Sequence, residues 1–313
     1  MDAISTVGLT RKFGANTAVD NLSLSVKEGE VFGLVGPDGA GKTTVMRLLA
    51  GLMAPTAGGA SVYGCDTVKD SEELKNHISY MPQRFGLYLD LTVEENINFY
   101  ADLYNVPRQV RQEKVPELLA FSNMTPFRDR LARNLSGGMK QKLALACALI
   151  HTPKVLLLDE PTNGVDPLSR RDFWRILYRL LAEKVTIFVS TAYLDEAERC
   201  ARIGLLHQGR LIMSGTPDEV KAGMHGVLVE VRCREPRQVL ARLTDELAPV
   251  SSGLFGAKIH VVLNGEPTQA LRAVEKTLAS GGVQAETEIV VPSLEDVFIS
   301  MITPVKGSGA NAC

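Results

Sequence analysis

Short apolar runs alternate with helical stretches along the first two-thirds of the chain. Ile4–Leu9 and Leu22–Val26 are predicted strands, and Val31–Val35 is a continuous apolar run that leads through a glycine-rich turn into a predicted helix, Lys42–Ala50. Continuous apolar strands set between helices are typical of a sheet that is buried on both faces. The pattern over residues 1–222 therefore predicts an α/β core.

The chain departs from this pattern between about residues 84 and 150. Helical periodicity prevails there, no strand is evident, and the stretch 90–94 (DLTVE) has the composition of a helix N-terminus. The core pattern then returns with the strands Val155–Leu158 and Thr186–Ser190, which flank the helical stretch Pro167–Glu183. We expect a helical subdomain inserted between two core strands.

A third pattern begins after residue 222. The predicted order is strand, helix, strand, strand, helix, strand, which is the split βαβ arrangement of ferredoxin-like domains. The predicted bounds are Val227–Cys233, Pro236–Leu247, 249–254, Lys258–Leu263, Pro267–Ala279 and Ala285–Val290, followed by a closing helix, Ser293–Met301. We therefore predict a small α+β accessory domain over 223–303. The small, polar end of the chain predicts a disordered tail over 304–313.

The charge balance argues against a nucleic-acid partner. The 34 basic and 36 acidic residues give a net charge of −2, and residues 222–303 carry 7 basic and 10 acidic side chains. Binding to nucleic-acid phosphates requires clustered lysine and arginine, which neither count provides. The apolar and charged fractions are otherwise ordinary for a globular protein.

The sequence favours a cytoplasmic protein without a membrane span of its own. The start, MDAISTVGLTRKF, lacks the features of a signal peptide, and no apolar run approaches the roughly 18 residues of a span. Any membrane role is expected to require a partner. Five scattered cysteines, none in a CxxC spacing, argue for reduced thiols and against a disulfide framework or a zinc site.

The clearest chemistry follows the strand Val31–Val35. The sequence GPDGAGKTT fits the P-loop pattern with a strand before it and a helix after it. Glycines let successive backbone N–H groups turn toward phosphate oxygens, and the helix N-terminus adds partial positive charge. A lysine then reaches the β- and γ-phosphates, and a threonine hydroxyl suits Mg²⁺. The predicted ATP-binding residues here are Gly36, Pro37, Asp38, Gly39, Ala40, Gly41, Lys42, Thr43 and Thr44.

A second element complements the P-loop. The predicted strand Val155–Leu158 runs into two carboxylates, Asp159 and Glu160. Asp159 is expected to hold, through water, the Mg²⁺ ion that Thr43 ligates. Glu160 is expected to polarise the attacking water as a general base.

The sequence LSGGMKQ opens the helix that precedes Asp159. Ser136 is a natural N-cap, and Gly137 and Gly138 expose backbone N–H groups at a helix start, which makes a second anion site. One chain has a single P-loop, so we expect this second site to contact the nucleotide of another subunit. The predicted partner-site residues are Leu135, Ser136, Gly137, Gly138 and Met139.

Together these residues resemble the ABC-transporter ATPase family over about residues 3–222. The resemblance implies that ATP and Mg²⁺ bind between two cassettes paired head to tail, as a homodimer or a heterodimer. It also implies that Phe13 stacks on adenine, that Gln83 contacts Mg²⁺ and water, and that Asp166 lies in the loop that crosses to the partner. The stretch 292–299 (PSLEDVFI) is similar to the C-terminal module of drug-export ATPases that serve ABC-2-type permeases. The implied location is peripheral, on the inner face of the membrane.

One position departs from the family pattern. Ala192 stands where the family has a histidine after a core strand, and its methyl group cannot bond a γ-phosphate or orient water. Losing one such donor costs about 3–4 kcal/mol, or roughly 10²–10³ in rate. Neither His151 nor His207 is placed by sequence order to substitute, and both are expected at the surface. We therefore expect this chain's own site to bind ATP but to hydrolyse it slowly.

Three functions remain open from the sequence. The first is the ATPase subunit of a transporter that exports a small molecule. The second is a non-catalytic ATP-binding partner in a heterodimer, which the alanine at position 192 favours. The third is a soluble cassette protein acting on ribosomes or DNA, which the single cassette and the net charge of −2 disfavour.

Overall fold

The computed structural model describes residues 1–302, and the predicted tail over 304–313 lies outside the described residues. The fold divides into two compact units, one of Met1–Ser214 and one that begins at Gly215. This division falls before the predicted boundary at 222. The short helix α8 (Pro217–Ala222) packs against the helix α11 (Leu294–Ile302) of the second unit, and this contact assigns it there.

A six-stranded sheet forms the centre of the first unit, with the strand order β10-β9-β3-β8-β7-β6. The strands from β9 to β6 are parallel neighbours. Every residue of β3, β7 and β8 is buried, which explains their unbroken apolar pattern and agrees with the predicted α/β core. The strands are β3 (Val31–Val35), β6 (Ile78–Met81), β7 (Val155–Asp159), β8 (Thr186–Thr191), β9 (Arg202–His207) and β10 (Arg210–Gly215).

The first two predicted strands belong to a separate sheet. β1 (Asp2–Phe13) pairs antiparallel with both β2 (Asn16–Lys27) and β4 (Ala57–Val62), and β4 pairs with β5 (Cys65–Asp66). Leu22, Leu24 and Val26 are buried while their neighbours are more exposed, because only one face of this sheet packs on the core. The sequence pattern did not separate this sheet from the central one.

Helices connect and cover the strands. Between β6 and β7 the chain forms α3 (Val93–Leu103), α4 (Arg108–Phe121) and α5 (Gly137–Leu149), with 3₁₀ turns at Thr125–Phe127 and Ala132–Asn134. Thr92 caps α3 in a reciprocal capping box with Glu95. Within residues 1–302, no helix is long and apolar enough to cross a membrane. The other helices of this unit are α1 (Lys42–Leu49), α2 (Ser71–His77), α6 (Pro167–Ala182) and α7 (Leu194–Ala197).

The second unit contains a four-stranded antiparallel sheet with the order β12-β13-β11-β14. Val229, Val231 and Ile259 of its central strands are buried with Leu243 and Val274 of the two helices that cover one face. The elements are β11 (Val227–Cys233), α9 (Pro236–Leu247), β12 (Ser251–Phe255), β13 (Lys258–Leu263), α10 (Pro267–Ser280) and β14 (Ala285–Ile289).

A charged cluster connects this sheet to α11. The buried Glu230 carboxylate accepts from Lys258 at 2.9 Å and from Arg232 at 2.8 Å. The His260 ring nitrogens lie 2.7 Å from Asp296 Oδ1 and 3.3 Å from Glu230 Oε2. Burial by itself raises the pKa of Glu230, but the hydrogen bonds from Lys258, Arg232 and His260 outweigh burial and lower the pKa to about 2.

This lowered pKa predicts an acid-sensitive second unit. The ionised Glu230 stabilises the fold fully above its ordinary pKa of 4.5, and this contribution is lost as the pH falls toward about 2. We expect Glu230→Gln to destabilise the unit near neutral pH, with the difference from the native chain shrinking as the pH falls through this window. Hydrogen exchange of the β11 and β13 amides, followed as a function of pH, measures this difference in stability.

The matched control is Glu288→Gln, which changes the exposed residue paired with Glu230 on β14. It is expected to alter protection at these amides much less. An equal effect of both variants at all pH values would show that the buried cluster has no special role.

Candidate nucleotide-binding site

The loop after β3 is held in a narrow space by its glycines. A Cβ atom on Gly36 would lie 2.3 Å from the carbonyl oxygen of Leu206, and one on Gly41 would lie 2.3 Å from the carbonyl oxygen of Ala18. Gly41 also has a φ of 107°, which favours glycine. The loop ends at the N-terminus of α1, whose free N–H groups face an incoming anion. These close contacts explain why glycine is needed at both positions of the predicted phosphate cradle.

Lys42 is the charged centre of this cradle. Its ammonium donates to the carbonyl oxygens of Gly36 at 2.8 Å and Pro37 at 3.0 Å, and it lies 2.9 Å from Glu160 Oε1. The Lys42 side chain is 4% exposed and that of Glu160 is 11% exposed. A charge this deeply buried needs such partners, because desolvation alone would disfavour the ammonium.

Asp159 lies at the end of β7 and is 1% exposed. Its Oδ1 accepts from Ser190 Oγ at 2.7 Å and from Thr43 Oγ1 at 3.2 Å, and its Oδ2 accepts from Tyr80 OH at 3.3 Å. Burial, together with the Asp159 charge, raises the pKa of Tyr80 to about 12, so its hydroxyl remains a donor. The sequence predicted that Asp159 and Thr43 act on the same Mg²⁺ ion, and it gave no sign of the hydrogen bonds from Ser190 and Tyr80.

Glu160 directly follows Asp159 in the chain and has a left-handed backbone conformation, with a φ of 49°. Its carboxylate accepts from Gln83 Nε2 at 3.1 Å and from Asn163 Nδ2 at 3.2 Å. Its N–H lies 3.1 Å from both the carbonyl oxygen and the Oγ of Ser190. The predicted general base and Gln83 therefore meet, although 77 positions separate them in the chain.

Lys42, Thr43, Gln83 and Glu160 border a cavity of about 850 Å³, which is large enough for a nucleotide. Phe13 is 43% exposed there, and the Arg11 guanidinium lies 4.7 Å from its ring centre. Among the predicted loop residues, Gly36, Pro37 and Ala40 do not line the cavity. The predicted residues that do are Phe13, Asp38, Gly39, Gly41, Lys42, Thr43, Thr44, Gln83 and Glu160.

Two turns line the cavity without having been predicted. One contributes Asn16, Thr17 and Ala18 from the start of β2, and the other contributes Gln208 and Gly209. Gly209 donates its N–H to the Ala40 carbonyl oxygen at 2.9 Å, so it braces the loop. Nothing in the sequence indicated that Gln208 and Gly209, which lie between β9 and β10, reach the site.

The LSGGM residues lie elsewhere in the unit. Ser136 caps α5 by accepting from the N–H of Met139 at 3.3 Å, and both Ser136 and Gly137 are exposed. Gly138 is buried, and a Cβ atom there would lie 2.5 Å from Ser169 Cβ. Asp166 caps α6 by accepting from the Ser169 N–H at 2.9 Å. Neither Asp166 nor any residue of Leu135–Met139 lines the cavity.

Ala192 follows β8 and borders a small cavity of about 120 Å³. Asp38, Glu160, Asn163 and Tyr193 also line this cavity, and neither His151 nor His207 reaches it. His151 is half-buried instead of lying at the surface as predicted. Its ring stacks 3.8 Å from that of Tyr104, and its Nε2 lies 2.9 Å from the Ile78 carbonyl oxygen. His207 is also only half-exposed.

A glycine cradle with a buried lysine, followed by two carboxylates at the end of a neighbouring parallel strand, defines a P-loop nucleotide-binding protein. A family model described as ABC transporter matches residues 19–163, and relatives at least 33% identical align over nearly the whole chain. The chain belongs to the family of ABC-transporter ATP-binding proteins.

The relatives are named as transport ATPases. The probable multidrug ABC transporter ATP-binding protein YbhF of Escherichia coli (strain K12) is 43% identical over 96% of this chain, which spans only 52% of that protein. The daunorubicin resistance ATP-binding protein DrrA3 of Streptomyces coeruleorubidus is 33% identical, with 96% of this chain and 95% of the relative covered. The Nod factor export ATP-binding protein I of Ralstonia nicotianae is 38% identical, with 95% and 93% covered.

Solved structures agree on the fold of the first unit. The ATP-binding subunit of an ABC transporter superimposes with a TM-score of 0.64 at 29% identity. The superposition covers 70% of this chain and 92% of that subunit. A dimeric ATP-binding cassette in a post-hydrolysis state with ADP and Pi gives a TM-score of 0.61 at 28% identity. The superposition covers 68% of this chain and 98% of that cassette.

Gly138 packs closely against α6, whereas the neighbouring Gly137 is exposed, so alanine substitutions at the two positions are expected to differ in their effect on stability. Gly138→Ala is expected to destabilise the first unit by about 1–3 kcal/mol, because the new methyl group overlaps Ser169 on α6. Gly137→Ala is the matched control, since a Cβ atom there would lie 4.0 Å from its nearest neighbour, the carbonyl oxygen of Gly164. Urea unfolding followed by the fluorescence of Trp174, which is buried on the same α6, measures both.

Equal unfolding midpoints for the two alanine variants would contradict the close packing of α5 on α6. A native-like midpoint for Gly137→Ala would make that variant suitable for testing the exposed N-terminus of α5 in function.

Proposed function

We propose that this protein is the ATP-binding and ATP-hydrolysing subunit of an ABC exporter. It works as a head-to-tail dimer of cassettes that drives an ABC-2-type permease at the cytoplasmic face of a membrane. The observation that carries the proposal is that Lys42, Gln83 and Glu160 line one nucleotide-sized cavity together with Thr43, which donates a hydrogen bond to Asp159. The export and resistance functions in the names of the relatives support a small-molecule cargo.

ATP is expected to enter with its phosphates in the loop and its base toward Phe13. The phosphates would accept from Lys42 and from the N-terminal N–H groups of α1, so they compete with Glu160 for the Lys42 ammonium. Phe13 lies at the cavity wall with enough exposed ring to stack on a purine.

The donor set beside the phosphates fits Mg²⁺. Thr43 Oγ1 and Asp159 Oδ1 lie 3.2 Å apart, and hydroxyl and carboxylate oxygens are the ligands that Mg²⁺ prefers. Gln83 is close to this pair through its hydrogen bond to Glu160. Mg²⁺ held by these residues would neutralise charge on the β- and γ-phosphates.

Glu160 is the proposed general base. When the phosphates attract Lys42, the Glu160 carboxylate still accepts hydrogen bonds from Gln83 and Asn163. These bonds hold the carboxylate in place to accept a proton from water. Ala192 lies beside this carboxylate and offers no hydrogen bond. We infer that this chain's own site is slow for that reason.

The exposed N-terminus of α5 supports the head-to-tail arrangement. Ser136 and Gly137 are exposed and lie outside the lining of the chain's own cavity, so their N–H groups are free to meet the nucleotide of a second cassette. The alternative is a non-catalytic ATP-binding partner in a heterodimer, and Ala192 is the observation that favours it. In both cases Ser136–Met139 completes the partner's site.

We further propose that the second unit is a split βαβ, ferredoxin-like accessory domain over about residues 223–303. The element order and the strand order β12-β13-β11-β14 support this assignment, because a split βαβ unit places its first and third strands in the centre. Its net negative charge supports an interaction with protein in preference to nucleic acid.

ATP turnover of the purified full chain tests the role of the carboxylate and of Ala192. Glu160→Gln is expected to lower the rate at least about 100-fold, and Ala192→His is expected to raise the native rate by roughly 10²–10³ if a donor to the transition state is restored. ATP affinity, measured with a fluorescent ATP analogue, should change little in both variants.

Lys42→Ala is the control that should lose nucleotide affinity as well as turnover. A native rate that is high and unaltered by Ala192→His would contradict the impaired-site hypothesis. Turnover that survives Glu160→Gln would contradict the assigned general base.

Dimerisation is tested by sedimentation of Glu160→Gln with and without Mg-ATP. A slow-hydrolysing site should trap two chains around two nucleotides, and the added change Ser136→Glu should restore monomers, because its carboxylate repels the phosphates. Thr125→Glu, at an exposed position on another helical turn, should leave the dimer intact. A chain that binds ATP and remains monomeric would contradict the homodimer and favour the heterodimer.

A further inference from the structure

The first unit contains a second group of side chains that could bind a metal ion, and none of these residues lines the nucleotide cavity. Cys65, Glu73 and His77 bring one thiol sulfur, one carboxylate oxygen and one imidazole nitrogen within 4.8 Å of one another. Cys65 is buried, His77 is half-buried and Glu73 is exposed, so the group opens to solvent on one side.

Local structure holds the three residues in place. Tyr63 and Gly64, with φ of 50° and 84°, form the two-residue turn that pairs Cys65 with Val62. Glu73 and His77 are four residues apart on α2 and therefore share one face of the helix.

The loop between β5 and α2 is fixed by two aspartates. Asp66 Oδ1 accepts from the N–H groups of Val68 and Lys69 at 2.9 Å each, and Asp70 Oδ2 accepts from the Asp66 N–H at 2.9 Å. The Cys65 thiol and the face of α2 are thus held against each other by backbone contacts that do not use the three ligand groups.

These ligand groups have no other role in the structure. Within residues 1–302, the side chains of Cys65, Glu73 and His77 form no hydrogen bond or ion pair. The neighbouring Glu72 differs, since it pairs with Lys75 at 2.6 Å on the same helix. The Tyr63 ring lies 5.3 Å from the His77 ring and orients the imidazole without occupying its nitrogens.

The cysteine spacing argued against a zinc site, but it could not show that Cys65 lies beside Glu73 and His77. We propose that these three residues bind a divalent transition-metal ion of the zinc class, with a fourth position left to water. A mixed set of sulfur, nitrogen and oxygen donors suits Zn²⁺, and the thiolate disfavours Mg²⁺ and Ca²⁺. Burial, with Glu73 and Asp70 nearby, raises the pKa of the free Cys65 thiol, and the charge of a bound dication offsets these effects.

Such an ion would connect the antiparallel sheet to the nucleotide site. β5 supplies Cys65, while α2 supplies the other two ligands and runs directly into β6. β6 carries Tyr80, which donates to Asp159, and leads to Gln83, which donates to Glu160. The metal would fix the start of the segment that supports both carboxylates.

Cobalt titration of the full chain tests the site. The chain is stripped with a chelator, kept reduced, saturated with Mg-ATP to occupy the nucleotide site and titrated with Co²⁺. We expect one Co²⁺ per chain with thiolate-to-cobalt charge-transfer absorption. Cys65→Ser should abolish that absorption, and Glu73→Gln or His77→Gln should weaken binding at least about tenfold.

Two control variants make the result specific. Glu72→Gln removes the adjacent carboxylate on α2, and Cys233→Ser removes a half-exposed thiol of the second unit; both should bind Co²⁺ as the native chain does. Loss of the absorption in Cys233→Ser with retention in Cys65→Ser would overturn the proposal. Absence of any thiolate absorption in the native chain would overturn it as well.

Thermal unfolding separates metal binding from misfolding. Zn²⁺ should raise the Tm of the native chain and of Glu72→Gln, and it should leave the Tm of Cys65→Ser unchanged. Cys65→Ser should still bind Mg-ATP, which shows that it is folded. Equal Zn²⁺-induced shifts in the native chain and in Cys65→Ser would exclude these ligands.

Discussion

The parallel arrangement of β3, β8 and β7 is the constraint on which the nucleotide site depends. Because the three strands run in one direction and β8 lies between the other two, their carboxyl ends meet at one edge of the sheet. Lys42, Ala192 and Glu160 follow these three ends and are thereby brought together. The ion pair between Lys42 and Glu160, at 2.9 Å, is the direct consequence.

The buried charges at this edge of the sheet are stabilised by hydrogen bonds and ion pairs with neighbouring polar groups. Lys42 is neutralised by two carbonyl oxygens and one carboxylate, while Asp159 accepts from three hydroxyl groups. Each group would be costly to bury alone. In the proposed function, a bound triphosphate would exchange partners with this network, which would couple ligand binding to the position of Glu160.

The two faces of the cassette carry different chemistry. Lys42, Glu160 and residues of the glycine loop line the nucleotide-sized cavity, and Ala192 and Glu160 line the small one, whereas Ser136 and Gly137 lie exposed on α5. Such a separation is expected of a protein whose active site is completed by a second subunit. Ala192 borders the small cavity and offers no hydrogen-bond donor there, whereas the N-terminus of α5 keeps its capping serine.

The sequence by itself determined the local chemistry: the glycine loop before Lys42, the carboxylates at the end of β7, the capping serine of α5, and the approximate bounds of β3, β7, β8 and the four strands of the second unit. These features depend on backbone preferences and spacing within a few residues, which a single segment encodes. Tertiary structure alone decided that β1 and β2 form a separate sheet, that Ser190 and Tyr80 hold Asp159, and that Gly209 braces the loop. It also decided that Gly138 packs on Ser169 and that Cys65 faces α2. Such contacts join residues far apart in the chain, and they follow from strand register and helix packing, which no local pattern specifies.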